Sequence, residues 1–122
     1  MPKIKTAPQV LSAGTLTGDK VVNLQGEEVG KVEEIMLDWQ QGRVAYAVLS
    51  FGGVLGAGKK LFAVPWNILS LDTDHKQFIM DVNKELLEDA PGFDKDHWPQ
   101  TDDERWIDEI YRHYGSTKYW EE

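Results

Sequence analysis

From Asp19 to Val82, apolar residues recur at every second position in short runs broken by turn-forming residues, the spacing of half-buried strands. DKVVNL (19–24) is the first run and leads into the turn-like QGEE. VGKVEEIMLD (29–38) is the next. Its alternation slips between Val32 and Ile35, where Glu33 and Glu34 fall together, and such a slip predicts a β-bulge in a curling sheet. WQQGR (39–43) reads as a hairpin turn, with Gly42 supplying a positive φ. In VAYAVLSF (44–51), Ala45, Ala47, Leu49 and Phe51 share one face, and Val44, Tyr46 and Val48 share the other. Both faces are largely apolar, which predicts cover on both sides. A barrel interior supplies one cover. The N-terminal arm, the C-terminal helices or a second copy of the chain supplies the other. A glycine-rich loop follows, in which Gly52, Gly53, Gly56 and Gly58 serve backbone geometry. Leu61–Val64 resumes a strand that Pro65, lacking an N–H for the ladder, ends or confines to an edge. Ser70–Asp72 and Phe78–Val82 flank a turn and form a last hairpin.

The period then changes. Lys84–Ala90 reads as a short helix capped by Asn83 and stopped by Pro91, and PGFDKDHWPQ reads as irregular. Thr101–Tyr114 carries the clearest helical pattern. Trp106, Ile107, Ile110, Tyr111 and Tyr114 form an apolar stripe that needs a surface to cover. Thr101 with Glu104 reads as a capping box, Asp102 and Asp103 suit the helix start, and Gly115 supplies the stop. Residues 1–18 read as an arm, with Pro2 and Pro8 against regular structure and Val10, Leu11 and Leu16 available to dock. The organisation expected is an arm at 1–18, a β-body at 19–82 and an aromatic-rich helical extension at 83–122.

At 122 residues the chain makes one domain with a core of its own. It has no cysteine, which excludes disulfides, thiolate catalysis and cysteine-ligated metal. Neither a signal peptide nor a run of membrane-spanning length is read, so a soluble, cytoplasmic protein without membrane insertion is expected. The net charge is −8. Lys and Arg balance Asp and Glu over residues 1–80, so the whole excess lies in residues 81–122. That acidic third argues against direct binding of nucleic acid and for attraction to a basic surface.

Candidate chemistry is sparse. GVLGAGKK (53–60) nearly spells a phosphate-binding loop, but that motif needs a helix directly after the lysine and a Mg²⁺-binding hydroxyl. Here LFAVPW follows and Lys60 occupies the hydroxyl position, so a structural loop is expected. His75, His97 and His113 have no metal-ligand spacing, and the faint calcium pattern at Asp72–Asp74 lacks its glycine and its bidentate glutamate. Adjacent Glu33 and Glu34 point to opposite faces of a strand and make no acid–base pair unless a bulge brings them together. No catalytic residue, metal site, cofactor or small-molecule substrate is expected. The aromatic residues of the C-terminal third are the best functional candidates, because Trp and Tyr concentrate at protein–protein contacts. Pinning a helix on the body is the expected use of Trp106 and Ile110, and Tyr119–Trp120 is expected to dock on its own domain or on a neighbouring subunit.

Taken together, NLQGEEVGKVEEIMLD, GRVAYAVLSFGG, LGAGKKLFAVPW and APGFDKDHWP resemble the PRC-barrel domain from about Val10 to the end of the chain. The likeness is nearest to short standalone bacterial members. The family includes the cytoplasmic domain of the photosynthetic reaction-centre H subunit and the C-terminal domain of a ribosome-maturation factor. The resemblance implies a mainly β fold, a small antiparallel barrel with C-terminal helices packed on it, and a non-enzymatic role in protein interaction or assembly. A homodimer is the partner state expected, with Leu55, Trp98, Trp106, Tyr119 and Trp120 as contact residues. Two alternatives follow from the relatives: an accessory to ribosome assembly that binds a basic protein, or a reaction-centre-H-like subunit with carboxylates of raised pKa. No proton-delivery carboxylate can be placed here residue by residue.

Overall fold

The computed structural model describes residues 9–50, 60–90, 92–94, 96–100 and 103–121. The chain enters through a short helix, α1 (Ala13–Leu16), whose first turn is capped by the Ser12 hydroxyl accepting from the Gly14 N–H. The sequence assigns no helix here. One turn forms because Ser12 satisfies a free helix N–H and Leu16 packs on the core, while Val10 and Leu11 stay exposed.

Seven strands follow: β1 (Lys20–Val22), β2 (Glu28–Asp38), β3 (Arg43–Ser50), β4 (Lys60–Pro65), β5 (Leu69–Asp72), β6 (Gln77–Met80) and β7 (Gly92–Asp94). They form one sheet in the order β5-β6-β1-β2-β3-β4-β7, antiparallel except for the β1–β6 pair. β4 begins directly after Lys59, so no helix starts where a phosphate-binding loop requires one. It ends at Pro65 and passes into a 3-10 turn, as the missing N–H dictates. β7 lies within the stretch read as irregular. Three residues, Gly92, Phe93 and Asp94, pair with Phe62, Leu61 and Lys60, a tertiary pairing that no local signal announces.

The sheet is strongly curled. The Trp66 ring, just past β4, sits 5.7 Å from the Phe78 ring on β6. Three strands lie between β4 and β6 in the ladder, and a flat sheet would hold them about 19 Å apart. Among the described residues the ladder remains open, with β5 and β7 at its edges, so the closed barrel expected from the sequence is met as a strongly curled sheet. Its concave side holds the main core: Val21, Val32, Ala47, Leu49, Phe62, Val64, Phe78 and Met80, sealed by Leu87 of α2 (Lys84–Glu88). Asn83 caps α2 by accepting from the Leu86 N–H, as the sequence implies.

Two bulges shape the central hairpin. The β2–β3 register passes over Glu33, so Val32 and Ile35, three residues apart, both pack on the concave core. That is the slip visible in the sequence, and the Ser50 hydroxyl donates to Glu33 at 2.7 Å across it. A second shift, opposite Met36 and Leu37, passes over Ala45. It carries Ala45 into the convex cluster with Tyr46 and Val48, so the strict face alternation expected for β3 fails at this residue. At the far end of the hairpin, Gly42 has φ 66°, the left-handed conformation its turn requires.

Candidate interaction surface

The convex face of β3 and β4 is apolar: Ala45, Tyr46, Val48, Leu61 and Ala63. Its cover is the chain's own C-terminal extension. Helix α3 (Glu104–His113) lays Ile110 and Tyr111 on this face, 0 % and 1 % exposed, and a 3-10 turn at Tyr119–Glu121 adds Tyr119. Of the covers the sequence left open, the C-terminal helix and tail are the ones used.

The helix ends are set by local chemistry. Asp103, two residues beyond the expected cap, accepts from the N–H groups of Arg105 and Trp106. Thr101 and Asp102 lie outside the described residues. At the other end Gly115 has φ 61°, and the bonds Gly115 N–H to Arg112 and Ser116 N–H to Tyr111 form a Schellman motif. That stop turns the chain back along the body. Ser116 donates to the Asn67 side chain, and the Asn67 amide donates to the Thr117 carbonyl. The His113 Nε2 lies 2.8 Å from the Leu86 carbonyl and donates to it, since a carbonyl only accepts, tying α3 to α2.

Further polar contacts lock the extension. The Tyr111 hydroxyl donates to the Ala45 carbonyl at 2.6 Å, in a buried site. The Tyr119 hydroxyl donates to Asp38 at 2.7 Å, and Arg43 both donates to the Tyr119 carbonyl and lies 5.2 Å from the centre of its ring. Asp108 takes Arg112 on one oxygen at 2.7 Å and Lys118 on the other. The carboxyls respond accordingly. Asp38 is held below the ordinary carboxylate range, chiefly by the Tyr119 hydroxyl with partial opposition from burial, and Asp108 is lowered chiefly by Lys118. Burial and the Asp38 charge push the Tyr119 hydroxyl up. Among the described residues the buried Tyr114 hydroxyl finds no hydrogen-bond partner, and burial pushes its pKa up.

Because Asp38 has a lower pKa folded than unfolded, its contribution is full above the unfolded value of about 3.9 and is lost as pH falls through the folded value. The expected outcome for Asp38→Asn is a deficit in unfolding midpoint at neutral pH that narrows as the pH drops below about 4. Thermal melts of both proteins from pH 7 to pH 2 check it, and a deficit independent of pH would contradict it.

The candidate contact residues fall in different places. Tyr119 is buried, and Trp120 is half-buried with its ring 5.2 Å from Tyr111 and 5.0 Å from Tyr119. Trp106 is half-buried against Phe93, which in turn meets Trp98 at 4.8 Å. Trp98 keeps 42 % exposure. Leu55, with Gly52, Gly53, Gly56 and Gly58, lies outside the described residues. The structure also exposes a pair that the sequence reading passed over: Trp39 at 82 % and Leu37 at 64 %. They continue the inward face of β2, after Val32 and Ile35, past the point where the core ends. The signal was present as an i, i+2 apolar pair running into a polar turn.

Among the described residues no group of three His, Asp or Glu side chains is placed to hold a metal ion, and no helix is long and apolar enough to cross a membrane. Comparison with curated proteins finds no match. A family model described as PRC-barrel domain matches residues 8–87, which hold α1, the first six strands and nearly all of α2. β7, α3 and the aromatic tail lie beyond the matched segment. With well over half its length matched, and with its curled β-body, the chain belongs to the PRC-barrel domain family.

Proposed function

We propose that this chain is a non-enzymatic protein-interaction module whose contact point is the end of the β2–β3 hairpin. The observation that carries the reading is the exposure of Leu37, on the paired end of β2, and of Trp39, at the first position of the tight turn that follows. Exposed tryptophan on a preformed surface is the chemistry of an interaction hot spot: it buries a large area on docking at little cost in conformational entropy. Membership of the PRC-barrel family supports the same reading.

The homodimer expectation rested on the two-sided apolarity of Val44–Phe51 and on the aromatic tail, and in this chain α3 and that tail fill the convex β3 face. The hairpin end by itself falls well short of the roughly 800 Å² per partner that a stable interface buries, so a different protein with a pocket for Trp39 is the partner favoured. A proton-relay role, with raised carboxyls, finds no support either: the described carboxyls with shifted values, Asp38, Asp72 and Asp108, are all lowered.

The test is affinity capture from an extract of the source cells with the wild-type chain and with Leu37→Ser/Trp39→Ala. Both side chains are exposed, so the double variant is expected to keep the wild-type melting temperature within a few degrees while losing the captured protein at least ten-fold. Capture that is indifferent to the double change would overturn the reading.

A further inference from the structure

β2 outruns β1. β3 follows β2 to Asp38, but β1 pairs with it only as far as Lys31. The Gly18 N–H and the Asp19 carbonyl then extend that ladder by one residue, bonding Val32 at 2.7 and 2.9 Å. From Glu34 to Asp38, β2 has β3 on one flank and, among the described residues, neither a strand nor a backbone hydrogen bond on the other. At about 3.3 Å per residue this free stretch runs about 17 Å. It is longer than either terminal edge of the sheet, β5 with four residues and β7 with three.

Resting on the interaction reading above, we infer that this edge receives an extended strand of the partner protein, laid in the lane that β1 leaves empty, with apolar side chains at alternate positions set against Ile35 and Leu37. The backbone carries the first part of the argument. A strand flank offers a row of N–H and C=O groups at a fixed spacing, and only another strand meets the whole row. The side chains carry the second. Ile35 is half-buried and Leu37 exposed on the inward side of β2, with Trp39 just beyond them, so an added strand lengthens an apolar face that already exists. Proteins guard open edges with bulges and charges. Here the Glu33 bulge and Glu34 guard only the start, and Ile35, Met36 and Leu37 follow without a charge or a proline. The edge is also preformed, which lowers the entropy cost of docking. Val32 is fixed at one end by its two bonds, and Asp38 at the other by the Tyr119 hydroxyl. A second copy fits poorly. Antiparallel pairing over the whole free stretch sets Glu34 of each copy opposite Asp38 of the other, and parallel pairing sets each carboxylate beside its own counterpart, so both arrangements bring like charges together.

The probe is a six-residue peptide of alternating threonine and valine with blocked ends, titrated into the ¹⁵N-labelled full chain. The same peptide methylated at every backbone nitrogen keeps the side chains and removes the donors. Amide shifts and slowed hydrogen exchange are expected over residues 34–38 with the first peptide, and methylation is expected to weaken binding at least ten-fold. Equal responses to both peptides, a response centred on β5 or β7, or no response at 34–38 would overturn the inference. So would exchange protection at 34–38 that rises with the concentration of the chain alone, because a second copy would then be the occupant. No response at 34–38 while Leu37→Ser/Trp39→Ala still abolishes capture sinks the edge assignment and leaves the interaction reading standing. A methylation-sensitive response at 34–38, with capture indifferent to the double change, supports the edge and sinks the hairpin contact.

Discussion

Deleting residues 101–122 is expected to abolish the folded state. The family match ends at residue 87, which invites the view that the body stands alone, but the packing says otherwise. Removing α3 and the tail uncovers Ala45, Tyr46, Val48, Leu61 and Ala63, a contiguous apolar face that this chain keeps dry with its own extension. The deleted side chains include Ile110, Tyr111 and Tyr119, all buried. At about 1.5–3 kcal/mol for each buried large side chain, their loss rivals the 5–15 kcal/mol that holds an ordinary domain together. The truncated protein should bind a hydrophobic dye, elute as aggregate and lack a sharp thermal transition. A truncation with the oligomeric state and melting temperature of the full chain would show that the extension is an ornament on an autonomous body.

Tyr111 separates the two ways in which the extension holds. Tyr111→Ala removes a ring that is 1 % exposed and should cost about 3–5 kcal/mol, lowering the melting temperature by about 15 °C. Tyr111→Phe keeps the ring and removes only the hydroxyl. The β3 bulge passes over Ala45, the β3–β4 register begins at Tyr46, and the Ala45 carbonyl accepts from Tyr111 at 2.6 Å. Without the hydroxyl that carbonyl is buried and short of a donor, which should cost about 1–3 kcal/mol. Equilibrium urea unfolding of the three proteins checks both figures. A Phe variant as stable as wild type would mean that the bulge carbonyl finds another donor.

The bulge and the tyrosine illustrate what could be read in advance. The Glu33 bulge was visible because two adjacent glutamates interrupted an apolar alternation, and no placement of Val32 and Ile35 on one face is possible without an extra residue between them. The Ala45 bulge was invisible. Alanine suits either face of a strand, so the pattern through VAYAVLS reads as regular until the partner strand imposes its register. The same contrast holds at the helix starts. Asn83 caps α2 where the sequence put a cap, whereas α3 takes Asp103 from a run of equally good candidates at 101–103. Choosing among adjacent capping residues depends on where the body holds the first turn.

The candidate surface was half legible. The aromatic residues of the last third were correctly recognised as needing something to cover, but a hydrophobic side chain carries no mark of whether its neighbour is its own chain or another. Tyr119 and Trp106 turned out to be occupied at home. Leu37 and Trp39 looked like ordinary strand and turn residues, and their exposure depends on how far the hairpin outruns the core.

The sequence alone determined the first six strands along the chain, the turn at Gly42, the stop at Gly115, the period change after Val82 and the segregation of negative charge, because each is written in residues within a few positions of one another. Tertiary structure decided that β1 pairs in parallel with β6, that β7 joins the edge of β4, that the sheet curls with β5 and β7 at its edges among the described residues, and that the C-terminal helix covers the convex face. Those outcomes depend on contacts between residues far apart in the chain, where many pairings satisfy the local pattern equally and only the joint burial of all the apolar faces selects one.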